Sequence, residues 1–146
     1  MRWRFVDRVT SLEPWQGITG LKAVSLEEYL LPAPLGREGA FPETLIVECC
    51  VELARWLVVV SSAFAHNAVL REAAQFGFAQ VADEGTVLEL SAQTAGWSDS
   101  AITVACTVTR SDDALARGEL VLSFLPLAGE AREEMITRWR EVHGAT

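Results

Sequence analysis

Between Thr44 and about Ala65 the sequence runs TLIVECCVELARWLVVVSSAFA, and this segment constrains the fold more than any other. Its pattern predicts one long helix. Thr44, Glu48, Glu52, Arg55 and Ser62 fall on a single stripe, and nearly every other position is apolar or small. A helix with so wide an apolar circumference has to be wrapped by other elements rather than lie on a surface. It does not read as a membrane span. Glu48, Glu52 and Arg55 interrupt it, and no unbroken apolar stretch reaches the roughly 20 residues a bilayer requires.

The flanking segments supply the wrapping. Residues 3–12 and 17–26 read as two short strands, with Pro14 and Gly17 providing the turn chemistry. The loop LPAPLGREGAFPE, from Leu31 to Glu43, is too rich in proline and glycine for regular structure. Pro42 suits an early helical position and Glu43 complements the positive helix end. After the helix, which the polar residues near Asn67 should end, strands are expected at 74–81, 86–93, 101–109 and 119–125, with turns at 96–100 and 111–113. In AITVACTVT, Ile102, Val104, Cys106 and Val108 share one face while Thr103, Thr107 and Thr109 share the other. That alternation marks a half-buried strand of an antiparallel sheet. The C-terminal GEAREEMITRWREVHG predicts a short amphipathic helix with Met135, Trp139 and Val142 on one side. Two strands, one buried helix and four more strands in a continuous meander predict an α+β fold in which a sheet of about six strands curls around the helix. Residues 1–128 would form that unit and 129–146 the helical tail.

At 146 residues the chain is of single-domain size, with one core. Its start, MRWRFVDRV, has no apolar stretch or small-residue cleavage site of a secretory signal, so a cytoplasmic location is expected. Cys49, Cys50 and Cys106 are odd in number and lack disulfide-framework spacing. His66 and His143 lie far from them in sequence, so no metal site is expected, and the thiols should behave as small buried hydrophobes. The net charge of −8 argues against nucleic acid as a partner. Lys22 is the sole lysine among twelve basic residues. Arg2, Arg4 and Arg8, and Arg138 and Arg140, are either solvated surface charges or a local patch for an anionic carrier or phosphate.

Several motifs, in order, resemble the bacterial (3R)-hydroxyacyl-acyl carrier protein dehydratases. RWRFVDRV is similar to that family's opening strand, and Lys22, Val24, Ser25 and Glu28 match its K-x-V-S-x-x-E pattern. Pro42, Leu45, Ile46, Val47 and Glu48 match the start of its central helix, ADEGTVLEL its P-G-D-x-L strand, and Gly118 to Leu125 its last strand. The resemblance spans about residues 2–127 and implies the hotdog fold, a sheet rolled around one helix. It also implies an active site at a dimer interface, where a loop histidine and a helix carboxylate exchange protons with a 3-hydroxyacyl thioester. Backbone N–H groups at the helix start would polarise the thioester carbonyl.

Carried over residue by residue, the carboxylate is Glu48 and the histidine position is Pro34, fourteen residues earlier. The glycine expected after Pro42 is Glu43. Proline transfers no proton, and losing such a group typically costs about 10²–10⁴-fold, so conventional dehydration should be weak or absent. Arg37 and Glu38 lie in the same loop and are the geometric candidates for a substitute, although arginine is too basic to shuttle protons easily. His66, eighteen residues beyond Glu48, is too far along to pair with it in one chain.

Glu48 as catalytic group, with Pro34, Arg37, Glu38, Pro42, Glu43 and Glu52 lining a substrate site, is therefore the expectation. The competing reading makes Glu48 and Glu52 part of an ordinary polar stripe, with Arg55 pairing Glu52. Three functions remain open: a dehydratase-like enzyme of fatty-acid or polyketide-type metabolism, a hotdog thioesterase built on Glu48, and a non-catalytic acyl-binding subunit of an active homologue. Each implies a substrate carried as a phosphopantetheine thioester on acyl carrier protein or coenzyme A, with no further cofactor. Each also implies a homodimer or higher oligomer, because a sheet wrapped on one helix leaves an open edge.

Overall fold

The computed structural model describes residues 5–24, 40–83 and 85–143. In chain order these form β1 (Arg8–Glu13), β2 (Gly17–Ala23), β3 (Ala40–Phe41), α1 (Glu43–Ser61), β4 (His66–Phe78), β5 (Ala82–Asp83), β6 (Val87–Trp97), β7 (Ala101–Arg110), β8 (Asp113–Pro126) and α2 (Gly129–Val142). Six strands make one antiparallel sheet in the order β1-β2-β6-β7-β8-β4, and β3 pairs with β5 in a separate two-stranded ribbon. The sheet closes on α1, giving the hotdog arrangement.

The core lies between the inner sheet face and α1. Ile102, Val104, Cys106 and Val108 are all buried, as the alternation of β7 requires, together with Ile18 of β2, Leu88 and Leu90 of β6, and Leu120 and Leu122 of β8. From α1 they meet Ile46, Cys49, Cys50, Leu53, Trp56 and Leu57. Side chains of this size stabilise by roughly 1.5–3 kcal/mol each when fully buried, which is why the helix sits in the middle. The polar stripe of α1 is the part left partly open, with Thr44 exposed and Glu48, Glu52 and Arg55 half-buried.

The strands depart from the sequence expectation at several places, Ala40–Phe41 of the proline- and glycine-rich loop among them, and two departures matter most. First, α1 stops at Ser61 and β4 starts at His66, not near residue 74. The Phe64 N–H donates to the Val59 carbonyl (2.8 Å), while Ala63 and Phe64 take left-handed φ values of 53° and 63°. This closes the helix without the glycine or asparagine that usually signals such an end. The Ser62 hydroxyl then accepts the His66 N–H (3.0 Å), leading the chain straight into the next strand. Second, β4 does not open a continuous meander. It pairs with β8, the last strand, and β6 pairs with β2, so β4 becomes an edge.

α2 folds back on the body with Met135 and Val142 buried. Its Trp139 ring lies 5.4 Å from that of Trp56 on α1. No helix among the described residues is long and apolar enough to cross a membrane.

Candidate functional site

The start of α1 is fixed from two sides. Pro42, extended at φ −59° and ψ 142°, stands one place before the helix rather than inside it. Its carbonyl accepts the Leu45 and Ile46 N–H groups at 3.0 and 3.2 Å. The first-turn N–H groups of the helix lie at its positive end. Just upstream, Ala40 and Phe41 pair with Asp83 and Ala82. Phe41 is buried, and the Lys22 ammonium sits 5.9 Å from its ring centroid. On the other side Arg110, at the end of β7, donates to the Gln80 side-chain oxygen (2.6 Å) and the Val81 carbonyl (3.3 Å), tying down the link between β4 and β5.

Two carboxylates project from this helix one turn apart, about 6 Å along the axis. Glu52 is engaged. Arg138 of α2 lies 3.3 Å from one oxygen and Arg55 lies 3.7 Å from the other. Arg55 in turn donates through Nε to the Ala68 carbonyl of β4 (3.2 Å). Glu48 is half-buried, and no hydrogen bond or ion pair joins its carboxylate to another described residue. The arrangement therefore presents one uncommitted carboxylate, a turn above a set of backbone donors.

Pro34, Arg37 and Glu38 lie outside the described residues, as do Arg2 and Arg4. Pro42, Glu43, Glu48 and Glu52 are brought together at the first half of α1. Neither of the chain's two histidines joins Glu48 within one protomer. His66 lies past the far end of α1, roughly 20 Å along the axis from Glu48 at the usual rise, with its ring against Phe124. His143 stacks on Trp139 at 4.6 Å, its Nδ1 3.0 Å from the Trp139 carbonyl. Arg138 is likewise turned inward to Glu52, so only Arg140 of that pair is exposed.

Sequence reading missed two aromatic groups. Phe76 and Phe78 of β4 stack at 6.4 Å, and Phe78 lines an open groove of about 480 Å³ near the β4–β8 end. Trp15, Trp97 and Phe124 cluster at the opposite end of the sheet, with Trp15 and Trp97 stacked at 4.8 Å. Trp15 holds a left-handed φ of 60° at the β1–β2 turn, a conformation that no local sequence signal announces.

No family model matches the chain. It is 28% identical over 117 residues to a 3-hydroxyacyl-[acyl-carrier-protein] dehydratase of Levilactobacillus brevis, covering 80% of this chain and 79% of that one. Among solved structures it is similar to a Streptococcus mutans protein bound to acetyl-CoA, with TM-score 0.67, 15% identity, and 84% and 90% of the two chains covered. A hypothetical thioesterase with coenzyme A from Streptococcus pneumoniae gives TM-score 0.65 at 9% identity, covering 84% and 88%. A hot-dog-like protein from Thermanaerovibrio acidaminovorans gives 0.67 at 10%, covering 87% and 92%. At these identities the likeness concerns architecture: the chain has the hotdog fold.

Proposed function

We propose that the first half of α1 takes an acyl thioester, carried on acyl carrier protein or coenzyme A, and that Glu48 is the group that moves a proton there. The observation that carries this reading is the contrast between Glu52, held by two arginines, and Glu48, left without a described partner beside the helix start.

A lone carboxylate suits hydrolysis. Glu48 takes a proton from water, the oxygen adds to the thioester carbonyl, and the first-turn N–H groups of α1 bear the resulting oxyanion. Collapse expels the thiolate, which recovers the proton from Glu48. Dehydration is the second reading, favoured by the motif series and by the Levilactobacillus relative. It removes a proton from the α-carbon and delivers one to the departing hydroxyl, which calls for two groups in different protonation states. With proline at position 34, the second group would come from the Arg37–Glu38 loop or from another subunit, either a second copy or an active homologue.

Intact-mass analysis of 3-hydroxyacyl and saturated acyl thioesters, on both carriers, separates the readings. Loss of the acyl group marks hydrolysis and loss of one water marks dehydration. Glu48→Gln should lower either rate by about 10²–10⁴-fold. An unaltered rate in that variant removes Glu48 from the chemistry. Binding without turnover makes the chain an acyl-binding subunit.

A further inference from the structure

α2 runs back along α1. The Leu127 N–H donates to the Ala65 carbonyl (2.9 Å), which seats the start of α2 beside the far end of α1. Further along α2, Arg138 reaches Glu52 at 3.3 Å, on the first half of α1. The two helices are therefore antiparallel, and each later residue of α2 stands nearer the α1 start. Glu48 lies about 6 Å beyond Glu52 along α1, and His143 lies about 7.5 Å beyond Arg138 along α2. The imidazole thus comes level with Glu48 to within about one helical turn.

The ring also lies on the side of α2 that meets α1. It stacks on Trp139 at 4.6 Å, and Trp139 in turn packs on Trp56 at 5.4 Å. Trp56 continues the row of Glu48 and Glu52 at spacings of four, so one ridge of α1 carries all three side chains. His143 is half-buried, as Glu48 is. Its Nδ1 lies 3.0 Å from the Trp139 carbonyl. A carbonyl only accepts, so this contact places the ring proton on Nδ1 and leaves the Nε2 lone pair free. Among the described residues nothing donates to that nitrogen. One nitrogen orients the ring, the other is left to accept a proton, and no direct contact ties the ring to Glu48.

We infer that His143 is the second proton-transfer group of the site and faces Glu48 across a bound 3-hydroxyacyl thioester. This rests on the acyl-thioester reading given above, and it supplies from within the chain the second group that dehydration calls for. Nε2 of His143 takes the α-proton, the C–H electron pair becomes the new double bond, and the C–O bond breaks. The departing hydroxyl takes the proton of Glu48 and leaves as water. The pair ends as imidazolium and carboxylate, and passage of one proton between them through solvent restores the starting state. Imidazole suits the first step because it exchanges protons near neutral pH. The two groups need no mutual contact, because they act on different atoms of the substrate.

Conversion of 3-hydroxydecanoyl coenzyme A, and of the same acyl group on carrier protein, to the enoyl thioester tests the assignment. His143→Asn keeps a donor for the Trp139 carbonyl and removes the accepting nitrogen. It should lower kcat for dehydration by about 10²–10⁴-fold, with KM and the melting curve little changed. In His143→Ala, added imidazole should restore part of the rate, a response that a merely structural role would not give. Should the asparagine variant melt early, His143→Gln, which fills more of the ring's space, takes its place. An unaltered rate in the folded variants, or a loss that imidazole does not relieve, would overturn the role of His143 and leave Glu48 and the thioester site standing. A wild-type protein that hydrolyses or binds thioesters but forms no enoyl product would overturn it in the same way. One that binds no thioester would overturn the site reading, and this pairing with it.

Discussion

Cys50 and Cys106 meet across the boundary between α1 and β7, both buried and both free. The hydrogen bond between them, then burial and the neighbouring Cys106 and Cys49 sulfurs, hold the Cys50 thiol well above its ordinary value of 9.0. The native state therefore keeps this proton after the unfolded chain has begun to lose it. The associated stability is complete below the unfolded thiol value and is lost as pH rises from there toward the folded one. Urea unfolding should accordingly show stability falling above that value by up to about 1.4 kcal/mol per pH unit from this group. Cys50→Ala should flatten that slope; an unchanged slope would place the alkaline sensitivity elsewhere. Burial of the three thiols was legible from their apolar surroundings. The distinction between Glu48 and Glu52 was not, because both occupy the same stripe and the arginine that separates them comes 86 residues later in the chain.

The elements divide in the same way. β7 alternates so regularly, and α1 is so uniformly apolar, that their type and inner faces follow from the sequence alone. The end of α1 does not, since a hydroxyl and two left-handed residues without glycine close it. The place of α2 was legible only as an amphipathic face with no stated partner. Its docking joins Arg138 to Glu52 and lays the guanidinium 5.8 Å from the Trp56 ring centroid. About a third of the Arg138 side chain remains exposed, so screening limits the ion pair to roughly 0–1 kcal/mol. Loss of the alkyl stem's packing adds to the effect of truncation. Arg138→Ala should therefore destabilise by about 1–1.5 kcal/mol. Its coupling to Glu52→Gln in a double-mutant cycle should be no more than about 1 kcal/mol. A larger coupling would mean that the pair, rather than the packing, holds α2 in place.

For the whole molecule the decisive feature is the difference between its two sheet edges. β1 is six residues long and has α2 beside it. β4 is thirteen residues long, pairs only with β8 among the described strands, and carries the exposed Val69 and Phe78. A long edge bearing apolar side chains invites another strand. A second copy of this chain is the simplest source, since two antiparallel β4 strands related by a twofold axis would extend one sheet through both protomers. The sequence hinted at an open edge but could not say which, because the pairing of β4 with β8 depends on contacts up to sixty residues apart. Hydrogen exchange tests the assignment directly. In an isolated protomer, the β4 amides that do not face β8 should exchange quickly. In a dimer joined at this edge, both sets should be protected, and the extra protection should fade on dilution. Val69→Asp, which puts a charge on the proposed seam, should weaken association at least tenfold while leaving the protection of β6 and β7 unchanged. Protection confined to β1, or independent of concentration, would move the interface away from β4.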